Sequence, residues 1–247
     1  MSHPHLNKAP IVEGLIDIRV KQRSEFSLKE LEQLKDELKT TYPVVKDLHS
    51  IEAGIQFAQG KSTGQSFQST QTGYRLERKD PSFVVLLQQT GLTVSRLKPY
   101  EDWNNLIAEA KPIWEKYRSI ARPSAITRVA TRFINRLEFP IEKLDFDNYL
   151  LSLPPVPKNL PNELSGFLVR TLIPDPDTGA EIAIAQALES PNMQTRTVTV
   201  LIDIDAFKTI EMEPDSGDVW KLLDKLRDLK NRAFFGSITP KTVELFK

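Results

Sequence analysis

Apolar and polar residues alternate over residues 11–20, with Gly14, Ile16, Ile18 and Val20 on one side and Glu13, Leu15, Asp17 and Arg19 on the other. Alternation with a period of two predicts a half-buried strand. The pattern then changes to a helical one. Ser27 with Glu30 three residues later makes a capping box, and Leu28, Leu31, Leu34 and Leu38 follow at helical spacing, so a helix is predicted that stops before Tyr42-Pro43. Extended segments are expected at 51–59, 65–77, 83–88 and 92–97, divided by Gly60, Gly64, Lys79-Asp80-Pro81 and Thr90-Gly91. A helix over 100–120 closes this half. Its apolar positions include Trp103, Leu106, Ile107, Ala110, Trp114 and Tyr117, and Pro112 should kink or break it.

The second half varies the same theme: a strand over 126–139, a short helix over 144–151, and a proline-rich connection. Strands follow over 164–173, 181–189 and 196–205, and a last helix over 218–235 places Val219, Leu222, Leu223, Leu226 and Leu229 inward. Two short likenesses support an internal duplication. Glu101-Asp102-Trp103 with Leu106-Ile107 matches Asp218-Val219-Trp220 with Leu222-Leu223, and Tyr117-Arg118-Ser119-Ile120 matches Phe235-Gly236-Ser237-Ile238. The expected fold is α+β: two tandem units, 1–122 and 123–247, each strand–helix–antiparallel strands–helix. They would join in one continuous globule with a curved antiparallel sheet and helices on one face. This order is similar to the TATA-binding-protein-like and helix-grip folds.

The strand over 126–139 carries the most specific polar pattern. Arg128, Arg132 and Arg136 fall on one face with Ala130 and Ile134, while Val129, Thr131, Phe133, Asn135 and Leu137 fall on the other. The result is a ladder of guanidinium groups about 13 Å apart. In the expected sheet this ladder shares a surface with Glu13, Asp17 and Arg19, and with Thr197, Thr199, Asp203 and Asp205. Two readings compete. The arginines could pair with acids on neighbouring strands, or they could bind an anionic partner through their planar forks.

Charge sharpens the first reading. The chain of 247 residues has 33 bases and 33 acids, which disfavours a dedicated nucleic-acid binder. Locally, residues 111–136 hold seven bases and one acid, whereas 201–224 hold seven acids and two bases. Such fields could attract each other within one chain or between subunits, and the internal reading is expected first. There is no cysteine, so disulfides, thiolate catalysis and cysteine-bound metals are excluded. No apolar run reaches membrane-spanning length and the N-terminus has no apolar signal core, from which cytoplasmic residence is expected. His3, His5 and His49 are isolated, and no hydrolase, zincin, phosphate-loop or dinucleotide motif is present. Gly60-Lys61-Ser62-Thr63-Gly64 lacks the first glycine of a phosphate loop and reads as a hairpin. Trp103, Trp114 and Trp220 read as packing anchors.

Three segments together resemble a sporadically distributed, uncharacterised prokaryotic family of conserved hypothetical proteins. They are Ala9-Pro10-Ile11-Val12-Glu13-Gly14-Leu15-Ile16-Asp17-Ile18-Arg19, Arg132-Phe133-Ile134-Asn135-Arg136, and Phe234 with Ile238-Thr239. The resemblance spans nearly the whole chain, with Gly14 standing where alanine is expected. It supplies no catalytic residue. The family's scattered distribution resembles that of mobile or defence-associated genes, which implies a role beside a toxin or antiviral effector.

The sequence thus points to a protein that binds rather than catalyses, with no cofactor and no bound metal. The expected binding residues are Arg19, Arg128, Arg132, Asn135 and Arg136, with Asp17, Asp203 and Asp205. Asn135 belongs to the opposite face unless a bulge turns it. A protein partner is expected first and a nucleic acid or nucleotide second. A metal-dependent nuclease using Asp17, Asp203 and Asp205 is third. Exposed sheet edges also admit a homodimer.

Overall fold

The central element is β1 (Ile11–Lys21), whose apolar side enters the core through Ile16, Ile18 and Val20. The computed structural model describes residues 4–58, 61–141, 145–161 and 164–247, and for 51–58 and 61–68 the backbone alone. Its other strands are β2 (Val44–Ala58), β3 (Lys61–Glu77), β4 (Phe83–Gln88), β5 (Gly91–Leu97), β6 (Ala125–Pro140), β7 (Leu168–Asp175), β8 (Ala180–Leu188) and β9 (Thr197–Met212). They form one nine-stranded sheet in the order β2-β3-β4-β5-β1-β6-β9-β8-β7. Every neighbouring pair is antiparallel. In each half the first strand pairs with the last of its own half, β1 with β5 and β6 with β9, and the two first strands pair with each other at the centre.

The helices lie on one face. α1 (Leu28–Leu38) buries Leu31, Leu34 and Leu38, and the Glu30 carboxylate accepts the Ser27 backbone N–H at 3.1 Å, completing the capping box. α2 (Trp103–Ala121) starts at Asp102, whose carboxylate accepts the Asn105 N–H at 2.7 Å. It runs through Pro112 without a break. α3 (Asp218–Ser237) packs on β6, β9 and β8, and the short α4 (Pro240–Leu245) follows it. One apolar cluster joins both halves, with Trp114, Tyr117, Phe133 and Phe139 among its fully buried members. Trp103 and Trp114 are buried and Trp220 partly so, under the Lys111 ammonium.

Several expectations are corrected. Residues 146–148 form a single 3-10 turn rather than a helix over 144–151, and Leu144 lies outside the described residues. The turn is fixed by Asp145, whose carboxylate accepts the Asp147 N–H, and Leu150 then bridges to Ile238. β7 begins at Leu168, later than residue 164. β2 starts at Val44 and β9 continues to Met212, because pairing with β3 and β6 carries both strands through stretches that lack strict alternation.

Gly14 has a steric cause. A Cβ there would lie 2.7 Å from Cε1 of Phe133 and 3.0 Å from Cε2 of Tyr100. The expected alanine would press on two rings that meet edge-to-face at 5.3 Å. Gly14→Ala should therefore lose about 1–2 kcal/mol of stability by overpacking, read from urea unfolding midpoints. A midpoint equal to wild type would show that these rings move freely.

Candidate functional site

The face opposite the helices is built by register. One row runs Leu172, Ala183, Asp205, Arg132, Leu15, Ser95, Val84, Glu77 and Val44 across all nine strands. The next rows bring Asp203 beside Ile134 and Glu13, and Asp17 beside Ala130 and Thr93. Among the described residues no helix covers this face. It brings together Arg19, Arg128, Arg132, Arg136, Asp17, Asp203 and Asp205, the residues that alternation assigned to one surface.

Asp17 is the hub. It is only 5% exposed, and its carboxylate accepts from Arg19 Nε at 3.0 Å, Arg128 Nη1 at 3.2 Å and Thr93 Oγ1 at 2.7 Å. Arg19 also donates to Gln88 Oε1 at 2.6 Å. Arg128 reaches Asp205 Oδ2 at 2.8 Å, with its guanidinium over the Phe207 ring at 4.5 Å. Arg132 grips Asp203 with both arms of its fork, Nε to Oδ1 at 2.7 Å and Nη2 to Oδ2. This pairing holds the Arg132 guanidinium further above its usual range, while burial raises the Asp205 carboxyl against the pull of Arg128. Arg136, more exposed, pairs with Glu189 at 2.9 Å and Glu138 at 3.3 Å. Arg128 with Asp205 and Arg132 with Asp203 thus pair the basic stretch of the sequence with the acidic one across the sheet, and Arg118 with Asp215 extends this beyond it.

Asn135 does not belong to this surface. It is 2% exposed on the helix face, where its Nδ2 donates to Ile202 O at 3.0 Å. The irregularities in β1–β6 pairing fall between Ile11 and Glu13 and between Arg19 and Val20, and leave the alternation at Asn135 intact. The three acids of the nuclease reading are held by guanidinium groups. Among the described residues no group of three His, Asp or Glu side chains is placed to hold a metal ion. His3 lies outside the described residues, as does Gly60, with only backbone described for 61–64; Ala58 pairs with Lys61 across the connection. His5 and His49 are exposed.

A second feature was not anticipated. On the helix side a cleft of about 520 Å³ opens between residues 4–11, the start of α2, Asn135 and the C-terminal half of α3. Lys230 lines it and is itself buried, 7% exposed. Its signal was present in the sequence: Lys230 follows Leu226 and precedes Phe234 by four residues each, inside the apolar stripe of α3.

No family model matches this chain, and no curated protein matches it. Among the described residues no helix is long and apolar enough to cross a membrane.

Proposed function

We propose that this protein is a non-catalytic interaction module whose partner is another protein, docked on the open sheet face beside β7. The observation that carries this is the combination of a sheet face on which no described helix packs, an arginine ladder already neutralised by its own acids, and an apolar margin. Leu168 and Leu172, on the open side of β7, are 77% and 51% exposed. Among the described residues β7 is also an edge, with no strand beside its outward N–H and C=O groups. An extended apolar segment can add to such an edge by main-chain hydrogen bonds while its side chains meet Leu168 and Leu172. Nucleic acid demands unpaired cations that release counterions, and the paired arginines do not supply that.

Two finer readings accompany this. We infer that the halves descend from one duplicated unit of TATA-binding-protein-like or helix-grip type, supported by their shared first-with-last strand pairing. The resemblance of the opening and central motifs makes a defence or toxin-type effector the first partner to try. The proposed setting is the cytoplasm, in keeping with a chain that has no cysteine and builds its stability without disulfides.

The test is affinity capture from the native host with wild type beside Leu168→Glu/Leu172→Glu, followed by reconstitution with the purified captured protein. These positions are exposed, so the variant keeps the core. Reversing Arg128 would instead set a carboxylate against Asp17 and Asp205. A protein that rebinds wild type with Kd near micromolar and the variant about tenfold or more weaker is expected. Nuclease-sensitive RNA or DNA as the retained species, or equal binding by both proteins, contradicts the reading. A second copy of this chain as the retained species would convert the partner into a homodimer through β7.

A further inference from the structure

The cleft on the helix side is lined by a buried lysine that has no ion pair among the described residues. Lys230 Nζ sits 3.7 Å from the centroid of the Phe133 ring, and among the described residues it has no ion pair and no hydrogen-bond acceptor. A ring face is a weak substitute for a carboxylate. Buried lysines are otherwise almost always paired. The other charged side chains of the cleft have partners of their own. Glu101 pairs with Arg96, Arg232 with Asp175, Arg227 with Asp228, and Asp102 caps α2.

The remaining wall is amphipathic. Trp103, Phe234 and Ile11 supply apolar surface. The Tyr100 hydroxyl makes no hydrogen bond among the described residues, and burial keeps the phenol protonated as a donor. Asn135 spends its Nδ2 on the Ile202 and Phe133 carbonyls, which leaves Oδ1 to accept. A site of this volume, mostly apolar with a few convergent polar groups, has the character of a small-molecule pocket.

We propose that this cleft binds a small organic carboxylate, its anionic end on the Lys230 ammonium and the Tyr100 hydroxyl and its apolar body against Trp103 and Phe234. The ligand brings the counter-charge that the fold omits. Burial lowers Lys230 to about 7, with Arg227 adding repulsion and Asp228 opposing it, so a bound carboxylate would also keep the ammonium protonated. The groups facing Lys230 across the cleft are Tyr100, Glu101 and Asp102 from the start of α2, Asn135 from β6, and His5 from the N-terminal segment.

Calorimetric titration of the whole chain with phenylacetate and octanoate, beside their neutral amides, tests the site. At least one carboxylate should bind saturably below about 10 mM and its amide about tenfold more weakly. Lys230→Met should lose the preference for carboxylate over amide. If that variant does not fold, wild type decides alone: carboxylate affinity should fall about tenfold between roughly pH 6 and 9 as the ammonium deprotonates. His5→Ala should show the same fall, which removes the imidazole as its source. Equal binding of acid and amide, equal binding by wild type and Lys230→Met, an affinity flat with pH, or no saturable binding of either carboxylate overturns the proposal.

Discussion

Asp17→Ala is expected to cost about 3 kcal/mol of folding stability. The carboxylate receives three donors, from Arg19, Arg128 and Thr93, in a position that is 5% exposed. Removing it strands the Thr93 hydroxyl, itself 5% exposed, and brings two guanidinium groups near each other without their shared anion. Arg19 keeps Gln88 and Arg128 keeps Asp205, which holds the loss below that of a wholly abandoned buried charge. In a chain of this size the effect corresponds to a midpoint lowered by roughly 6–12 °C. Arg136→Ala is the contrast. Its pairs are exposed, and its loss should be about 0.5 kcal/mol or less. Guanidinium unfolding of the three proteins measures both. Equal stability of Asp17→Ala and wild type would show that the ladder is held by neighbouring charges and not by this hub.

Lys230→Met is expected to make the protein more stable at neutral pH, by about 3 kcal/mol. The wild-type ammonium is lowered from 10.5 to about 7 by burial, with Arg227 next and Asp228 opposing. Between those values the unfolded chain binds a proton that the folded chain does not. Wild-type stability should therefore rise with pH across that window, by roughly 3–5 kcal/mol in all. Below about pH 7 the cost of the buried lysine is fully present, and above about pH 10.5 it is gone. Methionine has no proton to bind, so the gap between the two proteins should close towards pH 10. Other groups that titrate in this range, Tyr100 included, are common to both proteins and drop out of the difference. Guanidinium unfolding at pH 7, 8.5 and 10 supplies the measurement. A variant less stable than wild type at pH 7, or a gap that does not change with pH, would mean that the lysine is stably charged where it sits. A residue that costs stability at its native position is retained for some other reason, and the carboxylate-binding cleft supplies one.

Much of the candidate surface was legible because a strand permits only two faces. Once β1, β6 and β9 were recognised by alternation, Asp17, Arg128, Arg132, Asp203 and Asp205 had to share a side. Which acid takes which arginine was not legible. Arg132 stands opposite Asp205 in register yet grips Asp203, and Arg128 reaches past Phe207 to Asp205. Those choices depend on long side chains leaning diagonally and on Asp17 competing from the third strand. Alternation also placed Asn135 correctly on the helix face, against its inclusion among the binding residues.

The missed strand ends and turn lacked a clean periodic signal, whereas Lys230 lies inside one. The first residues of β2, Val44 to His49, and the last of β9 mix apolar and polar residues without strict alternation and are ordered by the strands beside them. The 3-10 turn at Phe146–Asn148 replaces a helix because the segment turns back so that Leu150 can bridge to Ile238. The leucines on the same stripe satisfy the helical pattern without Lys230. A charged residue in an apolar stripe is the more telling observation.

Photo-crosslinking from the sheet face tests the docking claim most directly. Benzoylphenylalanine placed at Leu172, on the open side of β7, is compared with the same group at Lys221, 79% exposed on α3. In native lysate the expected result is a protein adduct at position 172, absent at 221, and lost when Leu168→Glu is added. An adduct with RNA or DNA at 172, the same protein at 221, or no adduct at 172 would contradict a protein partner on this face.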